Sequence, residues 1–269
     1  MKEVSISGSD LAGCRTPLEF YQRKFLHKQI EKDYFDIGTA AHLYILQPDK
    51  FEKKILVPNE WPEPDKINKD GTYSKTGKNG KYLEDQKQLN PDKIVLEPVI
   101  FEQVKSYANS VKEIPGFSKF INLETGIAEQ NFEILDETGL KLRGRPDYIK
   151  AGKFIADLKF CKSISDFDIA KDFRDYEYHL RAAFYLDLYN KATGLLDNIN
   201  TFIYICVEKS DNPTARFLKM SEIDINAGRE MYRLRLNVIA ECFKTNEWIV
   251  NSIENYQLPE WIYNKITNF

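Results

Sequence analysis

GRPDYI (residues 144–149) and IADLKF (residues 155–160) are the two stretches that decide the fold. Both are rich in strand-forming residues, and only a short turn separates them, so they predict a β-hairpin. In an extended segment alternate side chains share a face, so Asp157 and Lys159 point the same way. Asp147 faces them across the turn. This arrangement suits a divalent cation with a water molecule to be activated, because a hard cation prefers carboxylate oxygens.

The bulk composition is that of an ordinary soluble globular protein. The chain has 269 residues, enough for one large domain, with 42% apolar and 29% charged residues. No apolar run approaches the roughly 18 residues of a membrane span, and the N-terminus lacks the apolar region of a signal peptide. We therefore expect a cytoplasmic protein with no membrane partner. The formal charge of -3 weighs mildly against a protein that coats nucleic acid, but it is compatible with a locally basic groove.

The cysteines are scattered, with no CxxC pair. This spacing argues against a disulfide framework and against zinc or iron–sulfur ligation, and it favours buried free thiols. The residues are Cys14, Cys161, Cys206 and Cys242.

Residues 1–57 are predicted to form a helical N-terminal part. Ser9 is a candidate N-cap for a short helix, and Pro17 is well placed to open the next. Asp36 is a candidate cap for a third helix, which Pro48 would end.

Residues 58–93 differ in character, with three prolines by position 64 and then many Lys, Gly and Asn residues. We interpret them as an exposed, partly mobile arm carrying a short helix. A solvated linker is the alternative.

The catalytic core is predicted over residues 94–220, followed by C-terminal helices over residues 221–269. Apolar residues at helical spacing predict a helix at 99–114. The chain is then expected to form a three-stranded antiparallel meander, a long helix stopped by Gly194, a strand buried on both faces, and one more strand. The meander strands are 127–135, 140–149 and 154–160. Together these elements predict a single α/β domain over residues 1–269, with a mixed central β-sheet flanked by helices.

One face of the strand before Asp147 is polar, because Lys141, Arg143 and Arg145 alternate with apolar or small residues. An acid at the end of a cationic strand is a sensible place for a metal beside a phosphate. A surface strand with a structural salt bridge is the alternative. Asp157 lies in an apolar strand, where its charge needs a partner or a metal to offset desolvation.

His42 lies one helical turn after Gly38 and Thr39, small residues that leave room for close approach. A neutral imidazole is a good ligand for Mn²⁺ and similar ions, and it can complete a carboxylate site. Spacing alone nevertheless favours an ordinary histidine hydrogen-bonded at the edge of the core.

Tyr178, Arg181 and Tyr185 share a stripe of the long helix. Such aromatic stripes usually belong to the core, but an inward-facing arginine needs an anion, such as a phosphate or a carboxylate of the site. Glu129 and Asn131 share a face of the first meander strand. Glu129 is therefore a candidate second-metal ligand or water positioner, with a plain edge residue as the alternative.

Taken together, these residues resemble the PD-(D/E)xK nuclease superfamily and, more narrowly, the RecE-type exonucleases (exodeoxyribonuclease VIII). The resemblance covers most of the chain in order. The paired D…DxK motif is moderately specific, and the flanking segments make the narrower resemblance stronger. These segments are GTAAHLYILQP (38–48), the Lys-rich SKTGKNGK (74–81) and YHLRAAFYLDLY (178–189).

The resemblance implies a restriction-endonuclease-like fold and a site that binds Mg²⁺, with Mn²⁺ as a substitute. Lys159 would orient the attacking water and help to deprotonate it. The metal ligands that the resemblance implies are His42, Asp147, Asp157 and the main-chain carbonyl of Leu158.

The resemblance further implies a 5′→3′ exonuclease acting on double-stranded DNA ends in recombination. Members assemble into rings and work beside a RecT-like single-strand annealing protein. Arg181 stands where the family usually has a glutamine, with Tyr178 and Tyr185 beside it on a helix that binds DNA ends. The remaining predicted contacts to the DNA backbone are Lys75, Lys78, Lys81, Arg143 and Arg145.

Three alternatives to an exonuclease share some of these sequence features. A PD-(D/E)xK endonuclease would share the metal site but lack directionality. A catalytically silent DNA-binding or assembly module is disfavoured by the intact Asp147, Asp157 and Lys159. An iron–sulfur nuclease needs a cysteine cluster after the core, where Cys242 stands alone, so this alternative is set aside.

Overall fold

A computed structural model describes residues 4–26, 34–194 and 198–248, and only the backbone of residues 34–36. Along the chain, an N-terminal helical part and the segment that follows it precede the strands of the central sheet. The helices of this first half are α1 (Gly8–Ala12), α2 (Pro17–Tyr21, continued by a π-helical turn, Gln22–Leu26), α3 (Tyr34–Leu46), α4 (Pro48–Lys54), α5 (Gly77–Leu89), α6 (Pro98–Lys112) and α7 (Phe117–Phe120).

Helices of the second half alternate with the last strands. They are α8 (Asp166–Asp175), α9 (Tyr178–Ala192) and α10 (Glu222–Thr245). The strands of the described residues are β1 (Ser5–Ile6), β2 (Ile55–Leu56), β3 (Ile94–Val95), β4 (Ile127–Ala128), β5 (Phe132–Leu135), β6 (Lys141–Gly144), β7 (Tyr148–Lys150), β8 (Phe154–Cys161), β9 (Phe202–Glu208) and β10 (Ala215–Lys219).

The central sheet has the strand order β10-β9-β8-β7-β4. Strands β8 and β9 pair in parallel, and the other neighbours pair antiparallel. The parallel pair is connected through α8 and α9, which cover one face of the sheet. Strand β9 is buried on both faces, as its continuous apolar sequence predicts.

The predicted three-stranded meander is wrong in one respect, because its first two strands are each split between two sheets. Strands β4 and β7 belong to the central sheet, whereas β5 pairs with β6 in a second sheet that β1 joins in parallel. Pro146 lies at the break between β6 and β7 and has no backbone N–H to donate to a ladder. Arg145 and Asp147 therefore lie between strands rather than on the face of one continuous strand.

Two apolar cores lie on opposite faces of the central sheet. Side chains of β9 alternate between them, with Phe202 and Tyr204 on the side of α1, α9 and α10, and Ile203 and Ile205 on the side of α3 and α6. The period-two alternation of a strand delivers one row of side chains to each core. Strand β8, next to β9, therefore lies between two apolar layers.

The helix ends differ in detail from the sequence prediction. Ser7, not Ser9, caps α1, and it forms a capping box with Asp10. Asp36 does not cap α3, because it lies inside this helix, whose described part starts at Tyr34. Pro17 opens α2, and α3 ends before Pro48, both as predicted.

Residues 58–93 are anchored by a few buried side chains. Trp61 is buried and stacks on Tyr73, with ring centroids 4.4 Å apart. Asn79 is fully buried and exchanges hydrogen bonds with the backbone of Glu63. The helix that the sequence predicts in this segment is α5. Most other side chains of the segment are exposed.

The predicted C-terminal helices are described only to residue 248. Helix α10 begins after Ser221, whose hydroxyl accepts a hydrogen bond from the backbone N–H of Asp224. Residues 249–269 of that prediction lie outside the described residues.

The four cysteines are buried free thiols, as predicted. Among the described helices, none combines the length and the apolar character that crossing a membrane requires.

The turn between β5 and β6 is fixed by Asp136. Its buried carboxylate accepts hydrogen bonds from the backbone and hydroxyl of Thr138 and pairs with Arg233 (2.7 Å) and Lys191 (3.3 Å). Burial of the carboxylate opposes ionisation, but the Arg233 and Thr138 hydrogen bonds outweigh it and lower its pKa from 3.8 to about 2. Asp136 thus ties the hairpin to α9 and α10.

Replacing Asp136 with Asn should lower the free energy of unfolding at neutral pH by about 1–3 kcal/mol, because Arg233 loses a buried anion. The folded-state pKa is depressed to about 2 from 3.8. The contribution of the carboxylate is therefore fully present above pH 3.8 and lost as the pH falls towards 2. Urea unfolding of both proteins across this range measures the difference.

The matched control is Glu137→Gln, which removes an exposed carboxylate that contacts the same arginine. It should change the stability little at any pH. A stability difference between Asp136→Asn and the parent that persists undiminished at the acid end would contradict the assignment.

Candidate metal centre and its cleft

Three side chains from separate elements converge in front of the central sheet. His42 comes from α3, Glu129 follows β4, and Asp147 precedes β7. The His42 Nδ1 atom lies 3.4 Å from an Asp147 carboxylate oxygen and 3.7 Å from one of Glu129. One potential ligand atom from each residue lies within 4.8 Å of the other two. We call these three residues the triad.

The backbone around each member of the triad explains its position. Glu129 has a left-handed conformation (φ 56°), and its N–H donates to the carbonyl of Asp147 at 3.0 Å. A non-glycine residue in that region is uncommon, and such strain is found most often at functional sites. Gln47, at the end of α3, donates to the Ala128 carbonyl at 3.2 Å, which holds the His42 helix against the Glu129 loop.

Asp147 is a buried carboxylate with an incomplete set of partners. One oxygen accepts a hydrogen bond from the Leu158 backbone N–H at 2.7 Å. Burial, followed by the negative charge of Asp157, raises the pKa of Asp147 to about 6. Burial lowers the pKa of His42, but Asp147 and a hydrogen bond to Glu129 outweigh it, so the net shift is upward. The triad is thus a cluster whose anions need a cation.

Asp157 and Lys159 share a face of β8, as the strand period predicts, and their side chains form a contact ion pair. The Asp157 side chain is only 4% exposed. Its oxygens lie outside the mutually close set formed by the triad, but they line the same cleft. The Lys159 ammonium also lies 3.5 Å from the carbonyl of Leu158, so the main-chain oxygen that the resemblance implicates is next to the site.

Arg181 lies on α9 beside this ion pair. Its guanidinium is 5.8 Å from the centre of the Tyr178 ring, and its buried Nε has no hydrogen-bond partner within the described residues. Burial opposes its charge, but Asp157 and neighbouring tyrosines raise the pKa of Arg181 above its usual value. Burial raises the pKa of Tyr185 to about 12, so this hydroxyl stays protonated as a donor.

These groups open into one cleft with a volume of about 1240 Å³. Arg143 and Arg145 lie at its rim, and the Arg145 Nε lies 2.8 Å from a carboxylate oxygen of Glu129, with which it forms an ion pair. Gly144, between them, has no room for a side chain, because a Cβ there would come within 2.6 Å of Leu188. The absence of a side chain lets β6 lie directly on α9.

The structure does not bring every predicted residue to the cleft. Lys75, Lys78 and Lys81 are not among its lining residues, and neither is Tyr178, which packs behind Arg181.

Among the lining residues that the sequence did not predict are two cations, Lys50 and Lys54. Their i, i+4 spacing, just after the helix of His42, was the signal that could have found them.

The residues fit a divalent cation. Two carboxylates and one imidazole nitrogen provide the mixed oxygen and nitrogen set that Mg²⁺, Mn²⁺ and similar ions accept. The fit also rests on the buried carboxylate of Asp147, which a nearby cation would compensate. The triad could therefore hold a divalent metal, with Asp157 beside it.

A cation site built on acids from adjacent strands, with a lysine two residues after the second acid, defines the class of PD-(D/E)xK domains. A family model agrees with this geometry. Residues 17–255 match the model described as "PDDEXK-like domain of unknown function (DUF3799)". The chain belongs to this family.

Solved structures support the fold. A putative exonuclease from Eubacterium rectale superposes with a TM-score of 0.61 at 14% sequence identity, covering 96% of this chain and 92% of that one. The fold is therefore restriction-endonuclease-like, as predicted. The alignment with the structure of SSO0001 covers 82% of this chain and 94% of that one at 15% identity, but its TM-score of 0.29 is too low to support a shared fold. No curated protein matches the chain.

The triad predicts measurable metal binding in the absence of any substrate. His42→Ala, Glu129→Gln and Asp147→Asn should each weaken Mn²⁺ binding by at least about tenfold, because each removes one donor. Isothermal titration calorimetry with Mn²⁺ alone measures this change. Asp92→Asn is the control, since Asp92 is an acid that lines the cleft but does not belong to the triad. Parent-like affinity in all three triad variants would refute the metal centre.

Proposed function

We propose that the protein is a metal-dependent deoxyribonuclease, and specifically a 5′→3′ exonuclease that degrades one strand of linear double-stranded DNA. The observation that carries the proposal is the convergence of the triad with the Asp157–Lys159 ion pair in one open cleft. A site of this kind can hold a cation against a phosphodiester while a neighbouring amine faces the attacking water.

A bound Mg²⁺ would supply a Lewis acid that activates water and stabilises the departing 3′-oxygen. The chain's own groups do the rest. His42, Asp147 and Asp157, with the Leu158 carbonyl, would hold the cation. Lys159 orients the attacking water and adds positive charge where the phosphorus gains negative charge. Glu129, paired with Arg145, would complete the ligand set as the third member of the triad.

Arg181 is proposed to hold a phosphate of the strand end. Its Nε has no hydrogen-bond partner among the described residues, and the aromatic side chains of Tyr178 and Tyr185 lie beside it. Planar guanidinium groups bind phosphate oxygens in pairs. This role replaces that of the glutamine usual at this position in RecE-type enzymes. Arg143 and Arg145 would contact the backbone at the rim, and Lys75, Lys78 and Lys81 would contact DNA outside the cleft.

The narrower RecE-type assignment rests on the resemblance of residues 38–48 and 178–189. A single domain, a cytoplasmic location, a role in recombination, a ring-shaped homo-oligomer and a RecT-like partner all belong to this proposal and share its support.

Lys159→Ala should lower the cleavage rate of a linear duplex by at least about a hundredfold, because the amine next to the reacting phosphate is lost. Lys162→Ala, an exposed lysine just beyond the same strand, should cleave at the parent rate. Release of acid-soluble nucleotides with Mg²⁺ measures both. Equal rates in the two variants would rule out the assigned role of Lys159.

An exonuclease and an endonuclease of the same superfamily differ in what they do to a closed circle. The parent should release mononucleotides progressively from a duplex with 5′-phosphates and leave a covalently closed circle intact. Radiolabel placed at the 5′ or the 3′ end distinguishes the two polarities. Internal cuts in the circle would assign an endonuclease, and the absence of any cleavage alongside tight DNA binding would assign a catalytically silent module.

A further inference from the structure

Helix α4 carries two lysines that the proposed mechanism does not use. Lys50 and Lys54 are one turn apart, both exposed, and both line the cleft. Neither forms a salt bridge or a side-chain hydrogen bond within residues 4–26, 34–194 and 198–248. Like charges at i, i+4 repel each other slightly, so an anion that approaches the cleft would relieve this repulsion as well as pair with both ammonium groups.

Lys50 and Lys54 are on an element that packs into one core, whereas Arg143 is on an element that packs into the other. Helix α4 follows α3 directly, and its Phe51 is part of the core on the α3 and α6 face of the sheet. Arg143 lies on β6, whose Leu142 is part of the core on the α9 face. The cleft is thus lined by cations from elements of both cores, together with the triad.

The charges of the cleft favour an anion on its walls. Arg145 is paired with Glu129 and Lys159 with Asp157. The walls also carry the cations Lys50, Lys54 and Arg143 and the acids Asp92 and Glu133, and Glu133 is directly opposite Arg143 in the β5–β6 ladder. The spare positive charge is therefore on the side of α4.

We infer that Lys50 and Lys54 bind the phosphodiester backbone of the nucleic acid, so that its path crosses from α4 over the triad to Arg143. This inference rests on the proposed nuclease function and deepens it by naming the wall on which the backbone lies. Such contacts neutralise phosphates without reading sequence, and they release counterions in proportion to their number.

Salt dependence of binding provides the test, with Lys53 as a matched control. Lys53 is on the same helix, has the same chemistry and is exposed, but it does not line the cleft. Lys50→Gln and Lys54→Gln should each reduce the slope of log Kd against log salt by about 0.9, and the double variant by about twice that. Lys53→Gln should leave the slope unchanged. Fluorescence anisotropy on a labelled duplex, with Ca²⁺ replacing Mg²⁺, measures the slopes.

The outcomes separate this inference from the proposed function. If the parent cleaves DNA but Lys50→Gln and Lys54→Gln match Lys53→Gln in slope, the α4 contact is wrong and the nuclease proposal stands. If the parent neither binds nor cleaves DNA, both are overturned. Since the three lysines are exposed, their variants should melt at the parent temperature, which excludes a folding defect as the cause of a changed slope.

Discussion

Two carboxylates buried next to each other in an apolar sheet are the constraint on which the rest of this site depends. Asp147 lies just before β7 and Asp157 within β8, and burial together with the negative charge of Asp157 raises the pKa of Asp147 to about 6. Burying one uncompensated charge costs several kcal/mol. The protein meets this cost only in part, through the Leu158 N–H and the Lys159 ammonium. The remaining compensation is what a divalent cation would provide.

The break in the strand at Pro146 makes this concentration of charge accessible. Because β6 turns away into the second sheet, the end of β7 is left open, and Asp147 faces a cleft rather than another strand. The same break frees Arg145 to reach Glu129, whose left-handed backbone turns its side chain toward His42. A continuous meander would have placed these groups along a flat sheet face. The second sheet therefore forms one side of the cleft in which the motif residues lie.

Much of this could be predicted from sequence, for reasons specific to each element. The two-residue period of β8 fixes Asp157 and Lys159 on one side, and continuous apolar residues identify β9 as buried. The split of the meander could not be predicted, because its two halves alternate in the same way and only their partners differ. Local spacing favours an ordinary core-edge histidine at position 42, because it does not show that His42 meets the Glu129 loop, which is 87 positions later in the chain. The density of lysines in residues 74–81 predicts a DNA contact there. Lys50 and Lys54 line the cleft because of where α4 packs, which their local sequence does not show.

The charges of the site suggest how metal and substrate depend on each other. With His42 neutral, the three carboxylates around the cleft centre are matched by three cationic side chains. The carboxylates belong to Glu129, Asp147 and Asp157, and the cations to Arg145, Lys159 and Arg181. Such a balanced site has little attraction for an anion. A bound divalent cation would make the net charge of the site positive by two, and a scissile phosphate would then lower that net charge by one. Electrostatic attraction for the reacting phosphate would therefore depend on prior metal binding, while Lys50, Lys54 and Arg143, which are not part of this balance, would attract the backbone with or without it.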